Sequence, residues 1–329
     1  MLRSVVRKGL RLADDFFVAL GPRALPESGG LVSVLFHALY RNKAELRDAA
    51  LAPGQGVTQE DFRSFVDAVL DSGYRVISPE QVDSGLEPGR NYMLITFDDG
   101  YYNNTRALDV LEQFQVPATF FVSSRHVLQN KAFWWDAFSR QLARAGVKER
   151  MLNTQIRKFK ALSSGGIEYY LQQRFGKSVL QPHSDLDRPF TAGELTDFTR
   201  NKWVRLGNHT HDHAILPNYS RCEMLRQIKE CQKELTQIAG YAPIAIAYPN
   251  GNYCQAAVDA ALAAGLRVGF TVRPSRNALP LDSEYDRMTL GRFLFWGGRD
   301  AREQCRKFNS NFVPSNALRT LMNKSYSTS

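Results

Sequence analysis

Residues 92–100 read YMLITFDDG, and this stretch indicates the fold class. An apolar run that ends in two carboxylates and a glycine is typical of a buried strand followed by a sharp turn. Comparable short runs recur along the chain, separated by turn residues and helix-like stretches. These other runs are LVSVLFH (31–37), YRVIS (74–78), ATFFVSS (118–124), WVRLGNHT (203–210), IAIAYPNG (244–251), VGFTV (268–272) and TLGRFLF (289–295).

The intervals between the runs have helical periodicity. Residues 104–115, 220–239 and 253–264 each repeat apolar side chains every three or four positions, which places them on one face of a helix. Alternation of strands and helices predicts a parallel sheet with helices outside it, either a barrel or a doubly wound sheet. The reactive side chains favour the barrel, because they follow the C-terminal ends of several runs and those ends share one rim in a barrel.

Length and composition fit one large α/β domain or two small ones. The chain has 329 residues, 43% of them hydrophobic, which is enough to bury a substantial core. Its net charge of +9 is spread along the sequence and indicates a preference for anionic surfaces without identifying one. The sequence has neither paired metal-finger cysteines nor an aromatic RNA-binding motif, so nucleic acid is not an expected partner.

The cysteines and the N-terminus indicate a cytoplasmic protein. Cys222, Cys231, Cys254 and Cys305 form no CxxC pair, which favours a reducing environment. Charges interrupt each apolar run in residues 1–30, so we predict an arm there and neither a signal peptide nor a transmembrane segment. The arm can form a short basic amphipathic helix that packs against the domain or makes peripheral contact with a membrane surface.

One segment breaks the alternation of strands and helices. Residues 127–187 contain FWWDAFSRQL, a basic helical stretch and a Ser-Ser-Gly-Gly turn. We predict a mostly helical insertion here that can cap a site. The predicted organisation is an N-terminal arm at 1–30, a main domain at 31–315 that carries the insertion, and a C-terminal tail at 316–329.

Three of the six histidines fall within HTHDH, residues 209–213. Two imidazoles and a carboxylate with open positions for water or substrate form a competent site for Zn²⁺ and for other first-row divalent metals. We favour His209 and His213 as the ligands, because a separation of about one helical turn can direct both rings the same way. His211 is then left out. For an isolated cluster, the alternative is that the histidines cap a loop.

Asp98 and Asp99 lie where the strand predicted at 92–99 ends. Successive side chains of a strand point to opposite faces, so two neighbours can divide roles only where the backbone turns. One carboxylate can bind a metal while the other accepts a proton from water, as general base catalysis requires. The alternative is a plain Asp-Asp-Gly turn with a helix N-cap.

Three motifs, in this order, resemble those of one protein family. TFDDG (96–100), HTxxH (209–213) and YPNG (248–251), each after an apolar strand, are similar to the motifs of the polysaccharide deacetylase superfamily, also known as the NodB-homology domain or carbohydrate esterase family 4. The resemblance covers roughly residues 31–295 and includes PFTAGEL (189–195). It implies a distorted (β/α)7-type barrel that carries the helical insertion.

The resemblance also implies a reaction, the metal-dependent N-deacetylation of a sugar. Asp98 matches the general base of the family. Asp99, His209 and His213 match its metal ligands, and the metal is usually zinc. The backbone N–H of Asn250 matches the group that helps to hold the oxyanion. An N-acetylated carbohydrate is therefore the expected substrate.

The sequence departs from the common family pattern in two respects. No histidine follows residue 213, although many relatives take the proton for the amine from a late histidine. His37 matches the early histidine of the subgroup related to poly-N-acetylglucosamine deacetylases and is the predicted acid, with a packed histidine at a strand end as the alternative. Ala247 stands where many members have an arginine that orients the base, and Arg292 is the predicted replacement.

Aromatic residues near the motifs are predicted to bind the sugar. Trp135, Trp296 and Tyr248 are the candidates, since flat rings stack on pyranose faces, and buried packing is the alternative for Trp135. Because no targeting signal is visible, we expect a small glycan linked to a nucleotide or a lipid. Two other functions stay open, namely hydrolysis of another non-peptide C–N bond, as in a cyclic imide or ureide, and a noncatalytic glycan-binding scaffold.

Overall fold

The computed structural model describes residues 29–48, 54–146 and 149–309. The tail predicted at 316–329 and almost all of the N-terminal arm predicted at 1–30 lie outside these residues, so both stay predictions. Within the described ranges, no helix combines the length and the apolar character that crossing a membrane requires.

The described residues alternate between strands and helices, as the sequence predicts. The strands are β1 (Gly30–Phe36), β2 (Leu39–Tyr40), β3 (Val57–Thr58), β4 (Arg75–Val76), β5 (Asn91–Phe97), β6 (Ala118–Val122), β7 (Val204–Asn208), β8 (Ala245–Ala247), β9 (Val268–Phe270) and β10 (Phe293–Leu294). The α-helices are α1 (Lys43–Asp48), α2 (Gln59–Asp71), α3 (Pro79–Asp83), α4 (Leu108–Phe114), α5 (Ser124–Gln129), α6 (Trp134–Arg144), α7 (Glu149–Phe159), α8 (Ser164–Phe175), α9 (Ala192–Thr199), α10 (Arg221–Ala239), α11 (Gln255–Ala263), α12 (Glu284–Arg287) and α13 (Ala301–Asn309). Short 3₁₀ turns occupy Tyr102–Ala107, Lys177–Leu180, Leu216–Asn218 and Pro249–Gly251.

A curled parallel sheet forms the centre of the fold. Its strand order is β10-β1-β5-β6-β7-β8-β9, and each neighbouring pair is parallel. β4 pairs with the first half of β5, on the edge where β6 pairs with the second half. Leu290, shortly before β10, bridges to Phe270 in β9, so the last segment of the sheet connects its two edges. The predicted α/β barrel with helices around it is confirmed.

Both faces of the central strands are buried. Alternate residues of β1 enter two apolar clusters: Val34 and Phe36 pack on the helical side, and Leu31 packs inside the barrel with residues of β8 and β9. Near-continuous apolar runs are expected for strands buried on both faces. Helix α2 covers the helical side, and it begins with a capping box formed by Thr58 and Asp61.

Helices α6, α7 and α8 form the predicted helical insertion and have a small core of their own. Phe159 at the end of α7 contacts Trp134 and Phe138 edge to face, with ring centroids 5.7 and 5.1 Å apart. A buried ion pair of 2.6 Å between Lys131 and Glu168 ties the start of α6 to α8. The insertion is therefore a packed unit that can hold side chains in fixed positions.

The aromatic contacts of Phe36 generate a stability prediction. Its ring lies 5.1 to 5.5 Å from those of four other phenylalanines and is fully buried. We expect Phe36→Ala to lower the free energy of unfolding by about 3–5 kcal/mol, because it leaves a cavity at the end of β1. Urea unfolding measures this loss. The matched control is Tyr169→Ala, since Tyr169 is 66% exposed, and its effect should stay within about 0.5 kcal/mol. Equal effects of the two changes would contradict this account of the core.

Candidate active site

The C-terminal ends of the parallel strands meet at one rim. β5 ends at Phe97, and the chain turns at once because Asp99 and Gly100 both have positive φ, 80° and 85°. A Cβ at position 100 would also lie 2.9 Å from Val122, so the turn requires glycine. The turn separates the two neighbouring carboxylates, and Asp98 and Asp99 consequently have different partners.

The HTHDH motif forms a turn after β7 and not a helix. Thr210 and His213 have left-handed backbone conformations, with φ of 61° and 52°. The Asn208 side chain accepts a hydrogen bond of 2.9 Å from the Thr210 N–H. The Thr210 hydroxyl accepts one of 2.7 Å from the Ala214 N–H. These bonds hold the turn so that the rings of His209 and His213 lie 4.9 Å apart.

Asp99, His209 and His213 form a cluster that fits a divalent metal. Asp99 Oδ1 lies 3.4 Å from Nε2 of each histidine, and one ligand atom from each residue lies within 4.8 Å of the other two. His209 Nδ1 donates to the Ala247 carbonyl at 2.8 Å, which leaves the Nε2 lone pair for a metal. Burial by itself would raise the pKa of Asp99, but the two histidines beside it outweigh burial and hold that pKa well below its ordinary value. Two neutral imidazoles and a carboxylate suit zinc and related metals.

His211, the middle histidine of the motif, lies outside this cluster. Its Nδ1 atom is 2.9 Å from Glu234 Oε2 and 3.2 Å from Ser124 Oγ. The ring is thus held by α10 and α5. His211 therefore provides a control position for experiments on the two clustered histidines.

Arg292 and Asp98 form a buried ion pair with two parallel hydrogen bonds. Nη1 and Nη2 donate to the two carboxylate oxygens at 2.7 and 2.8 Å. The guanidinium also donates to the Thr271 carbonyl and to the Thr96 hydroxyl, and Arg292 is only 1% exposed. Burial by itself would raise the pKa of Asp98, but Arg292 outweighs it and lowers that pKa below its ordinary value. Asp98 is therefore a fixed carboxylate at neutral pH.

His37 follows β1 on the same rim, and Gln55 fixes its orientation. His37 Nδ1 lies 2.7 Å from Gln55 Oε1. The Gln55 amide nitrogen donates to the carbonyls of Leu35 and Phe295 at 2.6 and 2.8 Å, so Oε1 must be the acceptor and His37 Nδ1 the donor. The charged form of His37 would also contribute to lowering the pKa of both rim aspartates.

The YPNG motif builds a strained turn that its neighbours hold. Asn250 has φ of 58° and Gly251 has φ of 72°, and a Cβ at 251 would lie 2.3 Å from Val272. Tyr248 is fully buried in an apolar cluster, and its ring stacks on Tyr253 at 5.5 Å. The predicted contact between the Tyr248 ring and a sugar is therefore corrected: its side chain anchors the turn in the core and does not reach the rim.

Trp135 lies beside the metal cluster, and the insertion brings it there. Its ring centroid is 4.6 Å from that of His213. The indole N–H donates to the Tyr101 hydroxyl at 2.9 Å, and that hydroxyl donates to Asp136 at 2.6 Å. Burial raises the pKa of Tyr101 well above its ordinary value, so the hydroxyl stays protonated as a donor. Trp135 is thus packed against the site, half-buried, on a fixed hydrogen-bonded support.

Trp296 lies on the part of the rim that carries His37. It follows Phe295, whose carbonyl accepts from Gln55. The side chain is 38% exposed, and the Arg299 guanidinium lies 5.4 Å from its ring. Of the three aromatic residues predicted to bind sugar, Trp296 has the most exposed ring and Trp135 the closest contact with the cluster.

Three residues that shape the site carry no prediction from the sequence, namely Gln55, Tyr101 and Asn104. Lys160 carries only the prediction of a basic, solvated helical face that could contact an anionic substrate or membrane lipid. Tyr101 and Asn104 belong to the YYNN segment directly after TFDDG, so their place next to a motif is a usable signal. Asn104 donates to the His37 carbonyl at 2.7 Å. Gln55 lies in a loop and Lys160 in the insertion, where no local pattern distinguishes them from ordinary polar residues.

The fold and the rim together define a class of protein, a parallel α/β barrel with an Asp-His-His centre beside an arginine-bound aspartate. The family model for polysaccharide deacetylases matches residues 85–269, more than half of the chain. The chain therefore belongs to the polysaccharide deacetylase family.

Individual relatives are distant in sequence. The chain is similar to YxkH of Bacillus subtilis (strain 168), with 21% identity over 223 residues, and the match spans 66% of this chain and 59% of the length of that curated relative. Among solved structures it is similar to the Streptococcus pyogenes deacetylase PplD in complex with acetate, with a TM-score of 0.57, 16% identity, and coverage of 85% of this chain and 98% of that one. IcaB from Ammonifex degensii gives a TM-score of 0.55 at 16% identity, with 86% and 98% coverage. At these identities the structural likeness shows the fold.

The cluster geometry generates a metal-binding prediction. We expect His209→Ala and His213→Ala each to lose bound zinc, because each removes one of three ligands. The matched control, His211→Ala, should keep it, since His211 is bonded to Glu234 instead. Metal content after dialysis against zinc, measured by atomic emission, separates these outcomes. Full zinc occupancy in both ligand variants would rule this site out.

Proposed function

We propose that the protein is a metal-dependent hydrolase that removes the N-acetyl group from a carbohydrate. The observation that carries the proposal is the rim itself, where the Asp99, His209 and His213 cluster lies beside the separately held carboxylate of Asp98. Membership of the polysaccharide deacetylase family supports the substrate class. A divalent metal at the cluster, zinc by its donor set, would polarise the acetamide carbonyl and activate a water molecule.

Asp98 is the proposed general base. Its carboxylate is ionised at neutral pH because Arg292 holds its pKa low, and the two parallel hydrogen bonds fix its orientation. Each carboxylate oxygen has a second lone pair, so the ion pair leaves capacity to accept a proton from water. Asp98 is also adjacent in sequence to the ligand Asp99, which keeps the base next to the position of the acetamide. Arg292 is in this account a positioning residue.

His37 is the proposed acid for the leaving amine. Gln55 accepts from Nδ1, so the proton for the substrate nitrogen comes from Nε2. Asn104 binds the His37 carbonyl and thereby fixes the main chain at the end of β1. The strained YPNG turn holds the Asn250 N–H for the acetamide oxygen as negative charge develops there.

The physical form of the substrate and the location of the protein belong to the same proposal. A net charge of +9 supports an anionic glycan, linked to a nucleotide or a lipid through phosphate. The free thiols of Cys222, Cys231, Cys254 and Cys305 support a cytoplasmic enzyme. The basic sequence of residues 1–30 supports peripheral contact with a membrane surface.

The proposed reaction is tested by acetate release from N-acetylated sugars, oligosaccharides and their nucleotide- and lipid-linked forms. We expect zinc-loaded protein to release acetate from at least one of them, and chelator-treated protein to release none until zinc is restored. The Asp98→Asn variant is the matched control, because it should bind zinc and lack the base. If the zinc-loaded protein released no acetate from any of these substrates, the result would contradict deacetylation. Binding of a glycan without its hydrolysis would then indicate a scaffold, and turnover of a cyclic imide or ureide would indicate the other C–N activity.

The role of His37 generates its own prediction. We expect His37→Ala to lower turnover by about 10²–10⁴-fold, the range for loss of a general acid, while zinc content stays at the wild-type level. His183→Ala is the matched control, since His183 is exposed on the insertion, and it should turn over like the wild type. Wild-type turnover in His37→Ala would remove His37 from the mechanism.

A further inference from the structure

One lysine of the insertion, Lys160, lies at the rim, where it contacts Asn250. Lys160 directly follows α7, whose last residue, Phe159, is buried in the core of the insertion. The Lys160 carbonyl accepts a hydrogen bond of 2.9 Å from the Asn218 amide, and the same amide binds the Leu162 carbonyl at 3.2 Å. Asn218 lies in the 3₁₀ turn that follows the HTHDH motif. The main chain at Lys160 is therefore fixed to the loop that carries two of the metal ligands.

The Lys160 ammonium contacts the YPNG turn. Nζ donates to Asn250 Oδ1 at 2.5 Å, and the Asn250 amide nitrogen donates in turn to Asn252 Oδ1. The Asn250 side-chain amide is thus bonded through both its oxygen and its nitrogen, and its oxygen holds the ammonium against this residue. That backbone supplies the N–H proposed to bind the acetamide oxygen.

The charge of Lys160 has no ion-pair partner in the part of the chain that the structure describes. No described carboxylate lies within 4.0 Å of its Nζ. Burial lowers the pKa of Lys160, and Asp99 opposes that shift. Placing a partly buried cation without a salt bridge costs free energy. Such a position is explained if negative charge arrives with the substrate or develops during the reaction.

We propose that Lys160 is a further catalytic residue, whose ammonium stabilises the negative charge that the acetamide oxygen acquires in the transition state. This inference rests on the proposed deacetylation, because it assigns the oxygen to the Asn250 N–H. In this proposal the ammonium lies within a few ångströms of that oxygen, because Nζ is hydrogen-bonded to the side chain of the same asparagine. A unit charge at such a distance in a partly buried site changes a rate by about 10- to 100-fold. The neutral amide of the ground state gains much less from it.

The kinetic test uses Lys160→Met, Lys160→Arg and a control, Lys158→Met, in the full-length zinc-loaded protein. Lys158 is exposed on the last turn of α7, so its replacement removes the same charge away from the rim. We expect Lys160→Met to lower kcat by about 10- to 100-fold with KM within about twofold of wild type, because a transition-state interaction is lost. Lys160→Arg should restore most of kcat. An unchanged kcat, or a raised KM with unchanged kcat, would overturn the proposal.

A second measurement separates failure of this inference from failure of the proposed function. Acetate is the anionic product of deacetylation, and its affinity for the zinc-loaded protein can be measured by calorimetric titration whether or not a substrate is known. We expect Lys160→Met to bind acetate about 10-fold more weakly than the wild type and the Lys158→Met control. Equal acetate affinities, or no acetate binding by the wild type, would overturn the role of Lys160. Absence of acetate release from every sugar together with weakened acetate binding in Lys160→Met would count against the sugar substrate and leave the role of Lys160 supported.

Discussion

The buried guanidinium of Arg292 is hydrogen-bonded both to strands of the barrel and to the carboxylate of Asp98 at the rim. It donates to Asp98 at the end of β5, to the Thr96 hydroxyl in β5 and to the Thr271 carbonyl just after β9. Arg292 itself lies in the segment between Leu290 and β10 that connects the two edges of the sheet. A charge this deeply buried is tolerated only when it is paired and hydrogen-bonded. The contacts that fix the carboxylate of Asp98 therefore also join β5 to Thr271, after β9, and to the segment before β10.

The closed rim also allows backbone conformations that an isolated loop would avoid. Of the six described non-glycine residues with positive φ, four lie at the site, namely Asp99, Thr210, His213 and Asn250. Each such residue costs on the order of 1–3 kcal/mol unless its surroundings impose it. Here strand ends and side-chain bonds impose it, as Asn208 does for Thr210. At the left-handed turns, neighbouring side chains no longer alternate between the two faces of a strand. Asp99 therefore lies beside the two histidines, while Asp98 is bound by Arg292.

The sequence predicts the barrel and the clustering of Asp99, His209 and His213, because both depend on local patterns. Apolar runs buried on both faces, such as 31–37 and 92–97, reveal strands without any knowledge of their neighbours. The family resemblance supplies the roles of the residues within TFDDG, HTxxH and YPNG. Side-chain direction is harder, and the tyrosine of YPNG has its ring in the core because the turn needs an apolar anchor. Gln55 and Lys160 reach the rim only through tertiary contacts with Leu35, Phe295 and Asn250, and no local pattern encodes such contacts.

The barrel and the insertion contribute different kinds of residue to the site. The residues proposed to bind metal and move protons come from strand ends, which the core positions rigidly. Trp135 and Lys160 come from the insertion, and a few polar bonds fasten it to the rim: Trp135 to Tyr101, Tyr101 to Asp136, and Asn218 to the main chain around Lys160. A different insertion on the same barrel would keep the chemistry and change what surrounds the acetamide. The ring of Trp135 and the charge of Lys160 both come from the insertion, and under the proposed function specificity is expected to follow them.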